Sequence, residues 1–399
     1  MPGLQARRLL SRRRALSALL KGGALLATPA LLKAQSPLSV RFVQQRGLLY
    51  IPVDVMVSGG ILQQEATKLG LGKVEATATA LSGPGPVLDA LLSGAADYGT
   101  AALPSLLTVW ERTRGSANEV KAVGAVSNGA MTLYSINPNV KTLADFGEQD
   151  RIAVPTVRLS FNAMMLQMAA EQLWGDPHRL DHLTVALGHP DAVTALSAGY
   201  GKATITAHIG VQPFTDRGLK LPGAHVITDS RKVFGGPLTQ ITLLATKQTK
   251  EKNPTLFQAV ANALEEAIRV ANADKRQAAT LWKEVQKAPE SIDDLVAQLN
   301  DPGFEFTSRP QRIAHFTAFL NRVGTLKAKV GDWKELFWET AHHQQGNEPR
   351  PVADAARLEA PFQTRAAGSD LPARRLQITT AEPDAPARRW LYGLAGLGG

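Results

Sequence analysis

The sequence contains no cysteine among its 399 residues. A disulfide, a thiolate metal site and a cysteine nucleophile are therefore all excluded. No Gly-x-Gly-x-x-Gly run is present, no phosphate-cradling loop ends in Lys-Ser or Lys-Thr, and Gly-x-Ser-x-Gly is missing. Charge is scarcer than the formal +9 implies. Seven of those charges, Arg7, Arg8, Arg12, Arg13, Arg14, Lys21 and Lys33, lie within residues 1–34, which hold no acid; the remainder keeps only +2. That residual does not argue for a nucleic-acid partner. Long apolar runs are also lacking, since Ala18 to Leu32 is broken by Lys21, Gly22 and Gly23 and is short for a membrane span. Metal binding has little to stand on. His342 and His343 are adjacent, so on a helix they point about 100° apart and make a poor ligand pair. His315 stands alone, and no metal or cofactor is expected.

What is present begins with a basic leader. Residues 1–34 read as an export signal: Ser11-Arg12-Arg13-Arg14-Ala15-Leu16 resembles a twin-arginine motif, and Leu32-Lys33-Ala34 is an imperfect cleavage site. The periplasm is the expected destination. From residue 348 the composition turns to Pro, Ala and Arg, which reads as a disordered tail over 348–399.

Between these ends one phrase organises the chain. Gly83 to Leu107 reads as turn, short helix, glycine, short strand, small-residue loop and second helix. Gly83-Pro84-Gly85-Pro86 punctuates the backbone. Val87, Leu88, Ala90, Leu91 and Leu92 supply an apolar helical face. Gly94 is a left-handed stop, and Ala95 to Gly99 suits a buried parallel strand. A related phrase returns at Pro190 to Phe214, where Ala192 to Gly199 aligns with Val87 to Gly94. Two copies of one supersecondary unit predict two similar lobes. The remaining expected elements follow hydrophobic spacing: strands at Leu38–Val43, Val74–Ala80, Val120–Val126, Thr132–Ile136, Ile152–Val154, Leu183–Leu187, Ile205–Ala207, His225–Thr228 and Gln240–Thr246. Helices are expected at Tyr50–Leu69, Ser160–Trp174, Pro254–Ala273, Ala278–Gln286, Ser291–Gln298 and Pro310–Arg322. The expected organisation is lobe 1 over 35–126, lobe 2 over 127–228, and a return to lobe 1 with added helices over 229–347.

Two segments carry a family resemblance. Asp89-Ala90-Leu91-Leu92-Ser93-Gly94-Ala95-Ala96-Asp97-Tyr98-Gly99 has the form of a helix ending Ala-Leu-x-x-Gly before an acidic-aromatic strand. Thr142 to Glu148, followed by Arg151-Ile152-Ala153-Val154-Pro155, is similar to an Asp-Leu-Lys-Gly-Lys-x-Val-Ala-Val segment, with Phe146 in place of Leu. Over roughly Ser39 to Glu284 the chain resembles the substrate-binding proteins of nitrate, taurine and alkanesulfonate ABC transporters, relatives of the thiamine-pyrimidine synthases. The resemblance implies an α/β, two-lobed periplasmic-binding-protein-like fold of type II with a cleft between lobes. It also implies capture of a small anionic solute for an ABC permease by a monomer that is not an enzyme. The relatives that are enzymes depend on cysteine, so their activities do not transfer. An enzyme using another base and a ligand-binding sensor are the alternatives.

Candidate ligand contacts are polar groups at the crevice ends of strands: Gln44 and Gln45 after the first, Ser82 and Gly83 after the second, Thr100 and Ala101 after the third, and Asn128 near the crossing. Ser160, Phe161 and Asn162 begin a helix whose free N–H groups favour an anion, and Arg158 stands two residues before it. His189 and His208 end second-lobe strands.

Overall fold

A computed structural model describes residues 37–346. The leader and the tail lie outside the described residues, and so do the expectations placed on them. All described residues belong to one compact unit. The elements are β1 (Leu38–Gln44), α1 (Ile51–Ser58), α2 (Ile61–Lys68), β2 (Val74–Ala80), α3 (Pro84–Leu92), β3 (Tyr98–Ala102), α4 (Leu103–Thr113), β4 (Val120–Asn128) and β5 (Thr132–Ser135). Next come β6 (Ile152–Val154), α5 (Phe161–Trp174), β7 (Thr184–Ala186), α6 (His189–Leu196), β8 (Ala207–Gly210), α7 (Phe214–Leu219), β9 (His225–Asp229) and α8 (Ser230–Phe234). The chain closes with β10 (Ile241–Thr246), α9 (Lys247–Lys252), α10 (Pro254–Ala273), α11 (Lys275–Gln286), α12 (Ile292–Leu299), β11 (Glu305–Phe306) and α13 (Ile313–Arg322).

These strands form two sheets, ordered β11-β4-β10-β3-β1-β2 and β7-β6-β8-β5-β9. In each, three consecutive strands are parallel in the order second, first, third: β2-β1-β3 and β7-β6-β8. In each, the strand beside the third is antiparallel and comes from across the connection: β10 in the first sheet, β5 in the second. The repeat read in the sequence is thus a repeat of topology. The chain passes between sheets twice, from Asn128 to Thr132 and from Asp229 to Ile241. Position 126 lies inside β4, which continues to Asn128.

Side-chain patterning explains why these segments take these places. β10 is buried along its whole length, as a strand covered on both faces must be. α10 buries Phe257, Val260, Leu264, Ala267, Ile268 and Ala271, a stripe at helical spacing, and packs on α1, α2 and β4. Each large side chain so buried contributes about 1.5–3 kcal/mol. Gly124 in β4 admits that helix, because a Cβ there would sit 3.0 Å from Leu264 Cδ2. Phe42 stacks on Tyr98 at 5.0 Å, joining β1 to β3.

Several boundaries differ from the expectation. The helix expected over Tyr50–Leu69 is broken into α1 and α2 at Gly59-Gly60, where Gly60 takes φ 74°. Gly83-Pro84-Gly85-Pro86 does not merely punctuate. Gly83 is the N-cap of α3 and Pro84 begins it, since the first turn of a helix needs no backbone donor. Gly94 does stop α3 with φ 73°, but the strand begins four residues later, at Tyr98. The second copy slips the same way, with β8 starting at Ala207 rather than Ile205. Residues 95–97 are instead a connection held by Asp97, which accepts bonds from the Arg41 backbone and guanidinium. Pro310 does not begin a helix; α13 starts at Ile313, after Arg312 in a left-handed conformation. Trp333 to His342 forms two short 3-10 turns.

Candidate ligand site

The repeated topology points the carboxyl ends of the parallel strands of both sheets at one cavity, with about 590 Å³ of space including its open mouth. From the first sheet come Gln45, Arg46 and Gly47 after β1, Ala102 at the end of β3 and Ser105 in the first turn of α4. Leu49 and Tyr50 follow in the turn before α1, and Gln240 and Ile241 enter with the start of β10. The second sheet supplies Pro155 after β6, Ser160 to Asn162 at the start of α5, His189 at the start of α6 and Val211 after β8. A cavity at the carboxyl ends of parallel strands is where open α/β sheets bind ligands.

Of the expected contacts, Gln45, Ser160, Phe161, Asn162 and His189 are brought together here. Ser160 is also the N-cap of α5, its hydroxyl accepting from Ala163 N at 3.2 Å. Asn162 donates to the Ile209 carbonyl at 2.8 Å and so ties α5 to β8. Phe161 stacks on Phe234 and meets Phe316 edge-on, which seats it.

The other expected contacts do not line this cavity. Gln44 is buried and donates to Asp54 at 2.7 Å. Ser82 is exposed, and Gly83 caps α3; its neighbour Pro84 reaches the wall instead. Thr100 and Ala101 are interior residues of β3, wholly buried, because the strand runs later than the glycine stop suggested. Asn128 faces a smaller adjoining cavity and lies 2.7 Å from the Gln311 side chain. Arg158 takes φ 62° and places Nε 3.2 Å from Asp181, with 69% of its side chain exposed. His208 is wholly buried within β8, behind His189.

Arg46, which the expected contacts do not include, is the one residue with a formal charge among the described lining residues. The signal for it was Gly47, whose φ of 145° turns the chain just past the end of β1. Arg46 donates to the backbone and side-chain oxygens of Gln286 at 3.3 and 3.4 Å. Gln286 also donates to Asp54. Burial pushes the Asp54 carboxyl up to about 6, against the opposing hydrogen bonds from Gln44 and Gln286. On the far wall, His189 Nδ1 lies 2.9 Å from His208 Nε2, and its ring stacks on Phe214. Burial pushes His189 down to about 4, and pushes His208 well below the usual histidine range. Both rings are neutral at pH 7. The wall therefore offers one permanent cation, hydroxyls and a neutral imidazole, with no carboxylate among the described lining residues. Among the described residues, no group of three or more His, Cys, Asp or Glu side chains is placed to hold a metal ion.

The sequence matches no protein-family model, and no curated protein matches it either. Solved structures do. The periplasmic nitrate-binding protein NrtA from Synechocystis PCC 6803 superposes with TM-score 0.62 at 12% identity, over 77% of this chain and 88% of that one. The periplasmic aliphatic sulphonate-binding protein SsuA from Escherichia coli gives 0.57 at 19% identity, over 77% and 100%. A Candida albicans protein described as having the generic periplasmic binding protein fold gives 0.53 at 14%, over 80% and 99%. With two sheets of matching topology and a cavity at their strand ends, this chain has the periplasmic binding protein fold.

Proposed function

We propose that the protein captures a small organic or inorganic anion outside the cytoplasmic membrane and delivers it to the permease of an ABC importer, as a binding protein and not as a catalyst. The observation that carries this reading is the cavity wall: Arg46, several hydroxyls and an imidazole face the space, with no acid among the described lining residues. An anion entering such a site exchanges water for charged and neutral donors. Residues 1–34, read as an export signal, fit that location. The relatives in structure described as binding nitrate and aliphatic sulphonates bear on the choice of probes.

The proposed mechanism is closure about the two inter-sheet connections. Contacts from both walls would stabilise a closed form that is less populated without solute. Arg217 on α7 already reaches Glu290, after α11, across this divide, and Arg322 on α13 reaches Glu171 on α5 at 2.7 Å. A thermal-shift screen of nitrate, methanesulfonate, taurine, neutral amino acids and lysine tests the reading. Stabilisation by one of the anions supports it. Stabilisation by lysine alone, or by none of the panel, refutes it.

A further inference from the structure

Behind the cavity wall stands a line of three side chains. Tyr134 of β5 is wholly buried and holds its hydroxyl 2.9 Å from His208 Nδ1. His208 is wholly buried too, and its Nε2 lies 2.9 Å from His189 Nδ1. His189 lines the cavity, and its Nε2 has no partner among the described residues. The line is seated where glycines leave room. A Cβ at Gly218 would fall 1.9 Å from the Tyr134 hydroxyl, and one at Gly210 would fall 3.2 Å from the His208 ring.

Hydrogen counting gives the line a direction. A phenol has one hydrogen, and a neutral imidazole has one donor nitrogen and one acceptor nitrogen. Among the described residues, the acceptor within hydrogen-bond reach of the Tyr134 hydroxyl is His208 Nδ1. Once that nitrogen accepts, the hydrogen of His208 sits on Nε2 and is donated to His189 Nδ1. His189 must then carry its own hydrogen on Nε2, facing the cavity. In the reverse direction the phenol hydrogen is buried without an acceptor, an arrangement folded proteins avoid.

We propose that Tyr134, His208 and His189 form a one-way hydrogen-bond chain that fixes His189 as a donor at the cavity wall. The bound molecule therefore meets His189 with an acceptor, such as a sulfonate, nitrate or carboxylate oxygen or a carbonyl, and not with an ammonium or amide N–H. His208 and Tyr134 are positioning residues, acting on the solute through His189. The preference for an acceptor on the solute rests on the cavity being the solute site; the chain's direction does not. An amino-sulfonate would have to turn its ammonium away from this wall.

The test uses the full chain, labelled with ¹⁵N, in two-bond ¹H–¹⁵N correlation spectra at pH 7 without solute; the variants His189→Gln and His208→Gln assign the two rings. Both rings are expected as neutral Nε2–H forms, unchanged from pH 8 to pH 5. An Nδ1–H form at either position overturns the proposal, as does a doubly protonated ring at pH 6. Tyr134→Phe removes the group that sets the direction, so His208 is expected to become a mixture of its two neutral forms. A His208 that keeps the single Nε2–H form in that variant overturns the proposal. Methanesulfonate is the binding probe: His189→Leu should weaken it at least tenfold, and His189→Gln, which keeps a donor, by no more than about threefold. Equal loss in both variants overturns the donor role. Nε2–H forms together with no binding of nitrate, methanesulfonate or taurine by the wild type support the chain and refute the reading of the cavity.

Discussion

Asp54 gives a stability prediction whose sign depends on pH. It is wholly buried on α1, and burial raises its carboxyl from 3.8 to about 6 despite donors from Gln44 and Gln286. A raised folded value means that its stabilising contribution is fully present below the unfolded value, near 3.8, and is lost as pH rises through about 6. At 1.36 kcal/mol per pH unit, the charged form costs the fold about 3 kcal/mol at neutral pH. His189 has the opposite sign. Its folded value, about 4 against 6.5, supplies stability that is full above 6.5 and lost as pH falls toward 4, again about 3 kcal/mol. Between pH 4 and 6 the two groups oppose each other, so the wild type should show a shallow pH dependence there. Asp54→Asn removes one of them. The new amide N–H can meet Gln44 Oε1, which has no partner in the cluster, so the hydrogen bonds are largely kept. The variant should exceed the wild type by about 1–3 kcal/mol at pH 7.5 and match it near pH 4. Urea unfolding at four pH values between 4 and 7.5, followed by tryptophan fluorescence, measures the difference. A difference that stays constant across those pH values refutes the reasoning.

The remaining predictions concern the cavity and the groups that close it. Arg46→Met should weaken methanesulfonate at least tenfold by calorimetric titration, whereas Arg158→Ala, removing an exposed partner of Asp181, should change it less than threefold; the reverse ranking would return the anion contact to Arg158. Ser160→Ala removes the hydroxyl that accepts from Ala163 N, and should lower stability by about 1 kcal/mol in urea titration. No loss would show that the cap is idle. Glu290→Gln weakens the bridge from Arg217, whose side chain is 35% exposed, so the expected effect is only about 1 kcal/mol. Small-angle scattering should then show a larger radius of gyration without solute, and an unchanged radius would remove the bridge from the closure mechanism.

Much of the fold was legible because its signals are local and strong. β2, β6 and α10 occupy the spans expected from alternation and from the apolar stripe. The Ser160 cap was readable for the same reason, a hydroxyl residue standing before a helical run. The site was less legible, and the reason is register. Strand onset after each glycine stop is set by pairing with β1 or β6, a distant partner, and not by the glycine. The same offset therefore appears in both copies of the repeat and places Thr100, Ala101 and His208 in an interior and not at the expected rim. Arg158 stands apart from the cavity lining for a different reason. Its left-handed backbone and the Asp181 carboxylate, which also accepts from Gln167 and His178, depend on contacts that no local spacing encodes. Arg46 is held at the cavity by Gln286, 240 positions away, a contact that local spacing does not encode either.

The strand order has a consequence for synthesis. Every strand of the five-stranded sheet lies within residues 132–229, so a ribosome has released all the parts of that layer before β10 emerges. β4 has no such fortune: its neighbours β10 and β11 are translated more than a hundred residues after it. A nascent chain must therefore carry β4 without a strand partner, and β3 as an open edge, while the inserted half takes shape, and only afterwards is the older half completed. A polypeptide stopped at Asp229 would hold one finished layer and one left open on the side where β10 belongs.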